Sequence, residues 1–122
     1  MSPLEEGLVE RVAAELGRVA GPASGGEVFS PFGLGHHVDH QLTRRAAERW
    51  SARAGVHLRY YADYPYAASA PLEGFAEVAL SAEARQAKFR AFRAYSSQLS
   101  TFWADEAAMA KAASHWAEQV FV

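Results

Sequence analysis

The 122-residue sequence predicts an α/β fold, an open and mostly parallel sheet with flanking helices, in one domain spanning residues 1–122. Three features predict it. Glu27-Val28-Phe29 and Val56-His57-Leu58-Arg59-Tyr60-Tyr61 have strand character, and the stretch between them, from Val38, has helical spacing. A strand, a helix and a second strand in that order imply neighbouring parallel strands joined by a right-handed crossover. With half its residues hydrophobic, a chain of this length buries roughly two-thirds of its unfolded surface, enough for a core.

The first element is a helix. Ser2-Pro3-Leu4-Glu5 is a capping box with proline at the first helical position, and Leu4, Leu8, Val12, Leu16 and Val19 follow at helical spacing. Gly21-Pro22-Ala23-Ser24-Gly25-Gly26 stops it and leads into the strand around Val28, which Pro31 ends. The helix from Val38 carries Val38, Leu42, Ala46 and Trp50 on one stripe and closes at Gly55. Residues 62–74, with two prolines, Tyr64 and Tyr66, read as a loop overhanging the sheet edge. Phe75 to Leu80 alternates like a strand. Ser81 caps a helix running to about Ser97, with Phe89, Phe92 and Leu99 inward, and a last helix covers about Asp105 to Trp116.

Composition narrows the function. The formal charge of −2, from 12 basic and 14 acidic residues mixed along the chain, offers no basic face for nucleic acid or an anionic membrane. Cysteine is absent, which excludes disulfides, thiolate zinc sites and cysteine nucleophiles. No apolar run approaches the ~20 residues of a membrane span, and the expectation is a cytoplasmic protein.

Chemistry concentrates in Pro31-Phe-Gly-Leu-Gly-His-His-Val-Asp-His40, where three histidines and an aspartate follow a glycine hinge on a strand-to-helix turn. Open α/β sheets place their active sites at such turns. His37 and His40 are three apart, so their rings leave one helix face and converge. Asp39 is close enough in sequence to accept a hydrogen bond from the far ring nitrogen of His37, favouring an imidazolium that stabilises an oxyanion beside the positive helix end. The competing reading, at even weight, is a capping aspartate among partly exposed turn histidines. For His36, His57 and His115 a structural or solvated role is the expectation. Gly33-Leu34-Gly35 begins a dinucleotide fingerprint, but Val38 occupies its third glycine position. Neither a G-x-S-x-G elbow nor a G-x-x-x-x-G-K-[ST] loop is present.

Taken together, that decapeptide, Tyr61-Ala-Asp-Tyr-Pro-Tyr-Ala67, Lys88 with Tyr95-Ser-Ser-Gln98, and Trp116-Ala-Glu118 resemble the PIG-L/LmbE-like zinc-dependent N-deacetylases, specifically the carboxy-terminal half of that family. The resemblance implies a partial Rossmann-like fold and hydrolysis of the N-acetyl amide of an N-acetylglucosamine-type substrate. It implies His40 as a zinc ligand, His37 as the oxyanion-stabilising catalytic histidine, and Asp39 as its paired carboxylate. Asp63, Pro65 and Tyr66 match a motif in which Ala62 and Tyr64 depart from the family's glutamate and leucine. Asp63 and Tyr66 are accordingly expected at the substrate rim.

The family's Ala-His-Pro-Asp-Asp-Glu segment, source of two further zinc ligands and the general base, has no counterpart in the sequence. The leading expectation is therefore a half-enzyme whose zinc site is completed by an amino-terminal-half polypeptide. The alternatives are a non-catalytic remnant or interaction module of the same fold, and a homo-oligomer whose site forms between subunits.

Overall fold

The computed structural model describes residues 2–21, 26–63, 72–95, 97–99, 103–114 and 117–121. In order these form α1 (Pro3–Ala20), β1 (Val28–Pro31), α2 (Val38–Ala54), β2 (Leu58–Tyr61), β3 (Phe75–Ala79), α3 (Ala82–Arg93), α4 (Glu106–Ala113) and β4 (Ala117–Phe121). The strands form one open sheet in the order β1-β2-β4-β3. β1 and β2 are parallel, pairing Val28 with Leu58 through Pro31 with Tyr61, as the β-α-β reading expects. β4 runs antiparallel to β2, with Val120 opposite Tyr61. Contacts gather into two compact units, one of residues 1–76 with 119–122 and the other of residues 77–118.

In the first unit, α1 starts where the capping box places it. Ser2 Oγ accepts from the Glu5 amide, while the Glu5 carboxylate takes the Ser2 amide. That amide bond, more than any other interaction, holds the Glu5 carboxyl below its ordinary range. The buried stripe of α1 is rotated from the one expected. Val9 and Ala13 are buried and Val12 and Leu16 partly so, whereas Leu4 is 81% and Val19 74% exposed. The small side of the helix faces α2 because Ala13 and Gly17 let it approach the indole of Trp50, which a Cβ on Gly17 would meet at 3.4 Å. Val9, Ala13, Ala46 and Trp50 form this core.

A seam of charge borders it. Glu10 pairs with Arg49 at 2.8 Å and Arg53 at 2.9 Å, and Glu6 pairs with Arg49 and with Arg45 at 3.6 Å. The hydrogen bond from Arg53 chiefly, then the charges of Arg53 and Arg49, hold the Glu10 carboxyl below its usual range. These groups are partly to fully exposed, so they orient α1 on α2 more than they stabilise it. α2 ends as predicted at Gly55, whose left-handed φ of 68° closes the last turn.

In the second unit, Ser81 Oγ accepts from the Ala84 amide at 3.0 Å, and Asp105 caps α4 through the Ala108 amide at 2.8 Å. α3 ends at Arg93, short of the expected Ser97. Met109 and Ala113 are the buried centre, against which Leu80, Phe89, Phe92, Leu99 and Trp103 pack. Lys88 pairs with Glu118, so two residues from separate blocks of the resemblance meet. Among the described residues no helix is long and apolar enough to cross a membrane.

Candidate functional site

Because β1 and β2 are parallel and Pro31 lies opposite Tyr61, the residues that leave both strands emerge side by side at their carboxyl ends. From β1 comes the turn Phe32 to His37. From β2 come Ala62 and Asp63, held in line by the Ala62 amide donating to the Gln119 carbonyl of β4 at 2.8 Å. The site is built where these segments meet.

Phe32 anchors the turn. Its amide donates to the Tyr61 carbonyl at 2.9 Å, and its ring contacts Phe75 and Phe121 at centroid distances of 5.2 Å. The Arg44 guanidinium lies 4.5 Å from the Phe32 ring and 4.7 Å from the Tyr60 ring, donates to the Phe32 carbonyl at 3.0 Å and meets Glu48 at 2.9 Å. Tyr60 donates its hydroxyl to Glu48 at 2.8 Å. Burial first, then the hydrogen bond to the Glu48 carboxylate and its charge, raise the Tyr60 phenol above its ordinary range.

The chain then turns sharply, with Gly33 at φ 88° and the His36 amide donating to the Gly33 carbonyl at 3.1 Å. His36 itself is left-handed at φ 55°, a conformation in which histidine is over-represented among non-glycine residues. A groove of about 540 Å³ runs beside the turn, lined by Phe32, Leu34, His36, Gln41, Arg44 and Glu48 among others.

His37 is the N-cap residue of α2, in extended conformation at φ −61°, and makes no side-chain cap bond. His40 lies three residues on, and the two rings approach to 5.5 Å between centroids, tilted by 37°. Asp39 is exposed in the first turn of α2, where its charge complements the helix dipole. Among the described residues no hydrogen bond joins its carboxylate to His37, contrary to the pairing expected of them. Side chains two apart near a helix start diverge rather than face one another.

The carboxylate that does enter the site is Asp63. Expected at a pocket rim, it is instead buried beneath the turn, with 1% of its surface exposed. Its Oδ2 accepts from the Gly33 amide at 2.8 Å and the Leu34 amide at 3.0 Å, and lies 3.0 Å from His40 Nδ1. Its Oδ1 is buried without a hydrogen-bond partner among the described residues. Spacing within one segment cannot reveal this arrangement, since Asp63 and His40 are 23 residues apart. The available signal is topological: an acidic residue just beyond the second of two parallel strands. Tyr66, the other expected rim residue, lies outside the described residues, as do Pro65, His115 and most of the predicted loop.

The two imidazoles, 5.5 Å apart between ring centroids, are the donors a metal would meet here. Among the described residues no group of three or more histidine, aspartate or glutamate side chains gathers to complete a metal-binding shell. Zinc in a catalytic site takes three protein ligands and an open position, so the donors described here fit one or two of those places.

The fold is that of a class of solved deacetylases. The zinc-inhibited form of teicoplanin deacetylase Orf2 is similar at a TM-score of 0.76 and 27% identity, over 98% of this chain and 53% of that one. A deacetylase–bog complex from the teicoplanin biosynthesis pathway gives 0.73 and 27%, over 99% and 55%. The A40926 pseudoaglycone deacetylase Dbv21 gives 0.67 and 24%, over 96% and 57%, a likeness of fold alone. The chain thus spans about half the length of the solved proteins it matches. No family model and no curated protein matches the sequence.

Proposed function

We propose that this chain carries one half of a zinc-dependent N-deacetylase site, acting on the N-acetyl amide of an N-acetylglucosamine-type substrate once residues from outside these 122 complete it. The observation that carries the reading is the convergence of His37 and His40 at the carboxyl ends of two parallel strands, 5.5 Å apart between ring centroids. The likeness of fold to solved deacetylases and the four sequence blocks support it.

A zinc ion supplies Lewis-acid chemistry to amide hydrolysis. The ligand this chain offers is His40 through Nε2, the nitrogen turned away from Asp63. His37, at the positive end of α2, donates a hydrogen bond to the oxygen that gains charge as the carbonyl becomes tetrahedral. His37 is exposed and the His40 side chain partly so, which leaves both rings open to a substrate, while Asp63 underneath keeps His40 in place. The remaining ligands and the general base come from a separate segment, on the same polypeptide or a partner.

The test is reconstitution. The chain is combined with an amino-terminal-half polypeptide bearing a His-Pro-Asp-Asp-Glu segment, and release of acetate from an N-acetylglucosaminide is measured with zinc and after chelation. Activity that chelation abolishes, and that both His40→Ala and His37→Ala reduce by about 10² or more, is the expected result. Activity unchanged in both variants overturns the assignment. A fold that assembles with the partner, ignores chelators and never releases acetate identifies a non-catalytic module.

A further inference from the structure

We infer that Asp63 is the positioning residue of this site: one carboxylate oxygen fixes both the path of the Gly33-Leu34 turn and the tautomer of His40, directing the lone pair of Nε2 outward. Asp63 Oδ2 already receives two backbone amides, at 2.8 and 3.0 Å, and an amide N–H can only donate. An oxygen accepting two such bonds has no room for a proton of its own, so the third neighbour, His40 Nδ1 at 3.0 Å, is the donor. In the neutral ring the proton therefore sits on Nδ1 and the free lone pair on Nε2. Among the described residues Oδ1 has no partner, which fits the same picture, because the donors they supply are gathered on one side of the carboxylate.

The geometry gives Asp63 a reach that no residue inside the turn has. Its side chain is wholly buried, while 39% of the His40 side chain remains exposed, so the fixed edge of the imidazole faces the protein and the free edge faces outward. The strand-to-helix turn that carries His36 and His37 hangs from the same oxygen through the Gly33 and Leu34 amides. Moving Asp63 thus moves the turn and His40 together. A carboxylate behind a histidine in this manner holds the ring's orientation and tautomer.

Only the use of that Nε2 toward a metal rests on the function proposed above; the tautomer is a property of the metal-free protein, and either reading can fail while the other stands. The experiment is ¹⁵N NMR of the histidine rings in the full 122-residue chain without metal, at about pH 8.5, where an ordinary imidazole is neutral. Wild-type His40 is expected to show a protonated Nδ1 and an unprotonated Nε2. Asp63→Ala is expected to lower that preference about tenfold or more, the scale of one hydrogen bond to a charged group. Asp63→Asn, which offers a neutral oxygen in the same place, restores part of it. A wild-type ring protonated mainly on Nε2, or an unchanged ring in Asp63→Ala, overturns the inference. The wild-type spectrum decides the matter even if the variants fail to fold.

Discussion

Gly33 and Asp63 are thirty residues apart in sequence, yet the Gly33 amide donates to Asp63 Oδ2 at 2.8 Å, and this bond ties the exit of one parallel strand to the exit of its neighbour. Leu34 adds a second amide to the same oxygen. Asp63→Ala leaves both donors in a partly buried turn. At about 1–3 kcal/mol for each group left without its partner, the expected loss is about 2–6 kcal/mol, read as a lower urea midpoint. A loss below about 1 kcal/mol means the turn is held by other contacts.

His36 stands in the left-handed region at φ 55°, exposed and at the end of the same turn. A non-glycine residue there costs about 1–2 kcal/mol, against about 0.4–1 kcal/mol for the extra freedom glycine gives the unfolded chain. His36→Gly is therefore expected to stabilise the fold by about 0.5–1 kcal/mol, and His36→Val to destabilise it. Equal denaturation midpoints for all three proteins refute the strain.

Tyr60 is raised above its ordinary range by burial and by Glu48, so the folded state favours the neutral phenol. Its contribution is complete below the unfolded-state value of about 10 and is lost as pH climbs through the higher folded value. Stability is expected to fall on the alkaline side, and Tyr60→Phe to flatten that fall while costing about 1 kcal/mol at neutral pH through the lost hydrogen bond. Denaturation midpoints of the two proteins across the alkaline range decide it. Parallel curves argue against Tyr60 as the source.

Two glycines respond in opposite senses to alanine. Gly7 is mid-helix and exposed, with nothing within 4 Å of an added Cβ, so Gly7→Ala gains up to about 1 kcal/mol of helix propensity. Gly74 combines φ 82° with the Phe121 ring 3.1 Å from its added Cβ. Gly74→Ala is expected to lose about 1–2 kcal/mol. Thermal melts of the pair, one rising and one falling, are the check.

The local signals of the chain were legible where a residue acts on its own neighbours. The Ser2 capping box, the Ser81 cap and the Gly55 stop all occur where the local chemistry of those residues places them. So does the convergence of His37 and His40, which follows from helical spacing alone. β4 was not legible: Ala117–Phe121 lacks a clean alternation, and its position depends on Tyr61 and Ala62, more than fifty residues earlier.

The sequence by itself determined where helices begin, that β1 and β2 lie parallel, and which turn gathers the histidines, because capping, period and spacing act within a few residues. Tertiary structure alone decided the buried face of α1, which the indole of Trp50 selects against the larger Leu4 and Val19. It also decided which carboxylate lies beside the histidines: the nearby Asp39 is exposed and, among the described residues, makes no hydrogen bond to His37, and the distant Asp63 is carried in by the register of two strands. Proximity along the chain sets what a helix face can share, whereas only the packing of strands brings a buried acceptor beneath a turn.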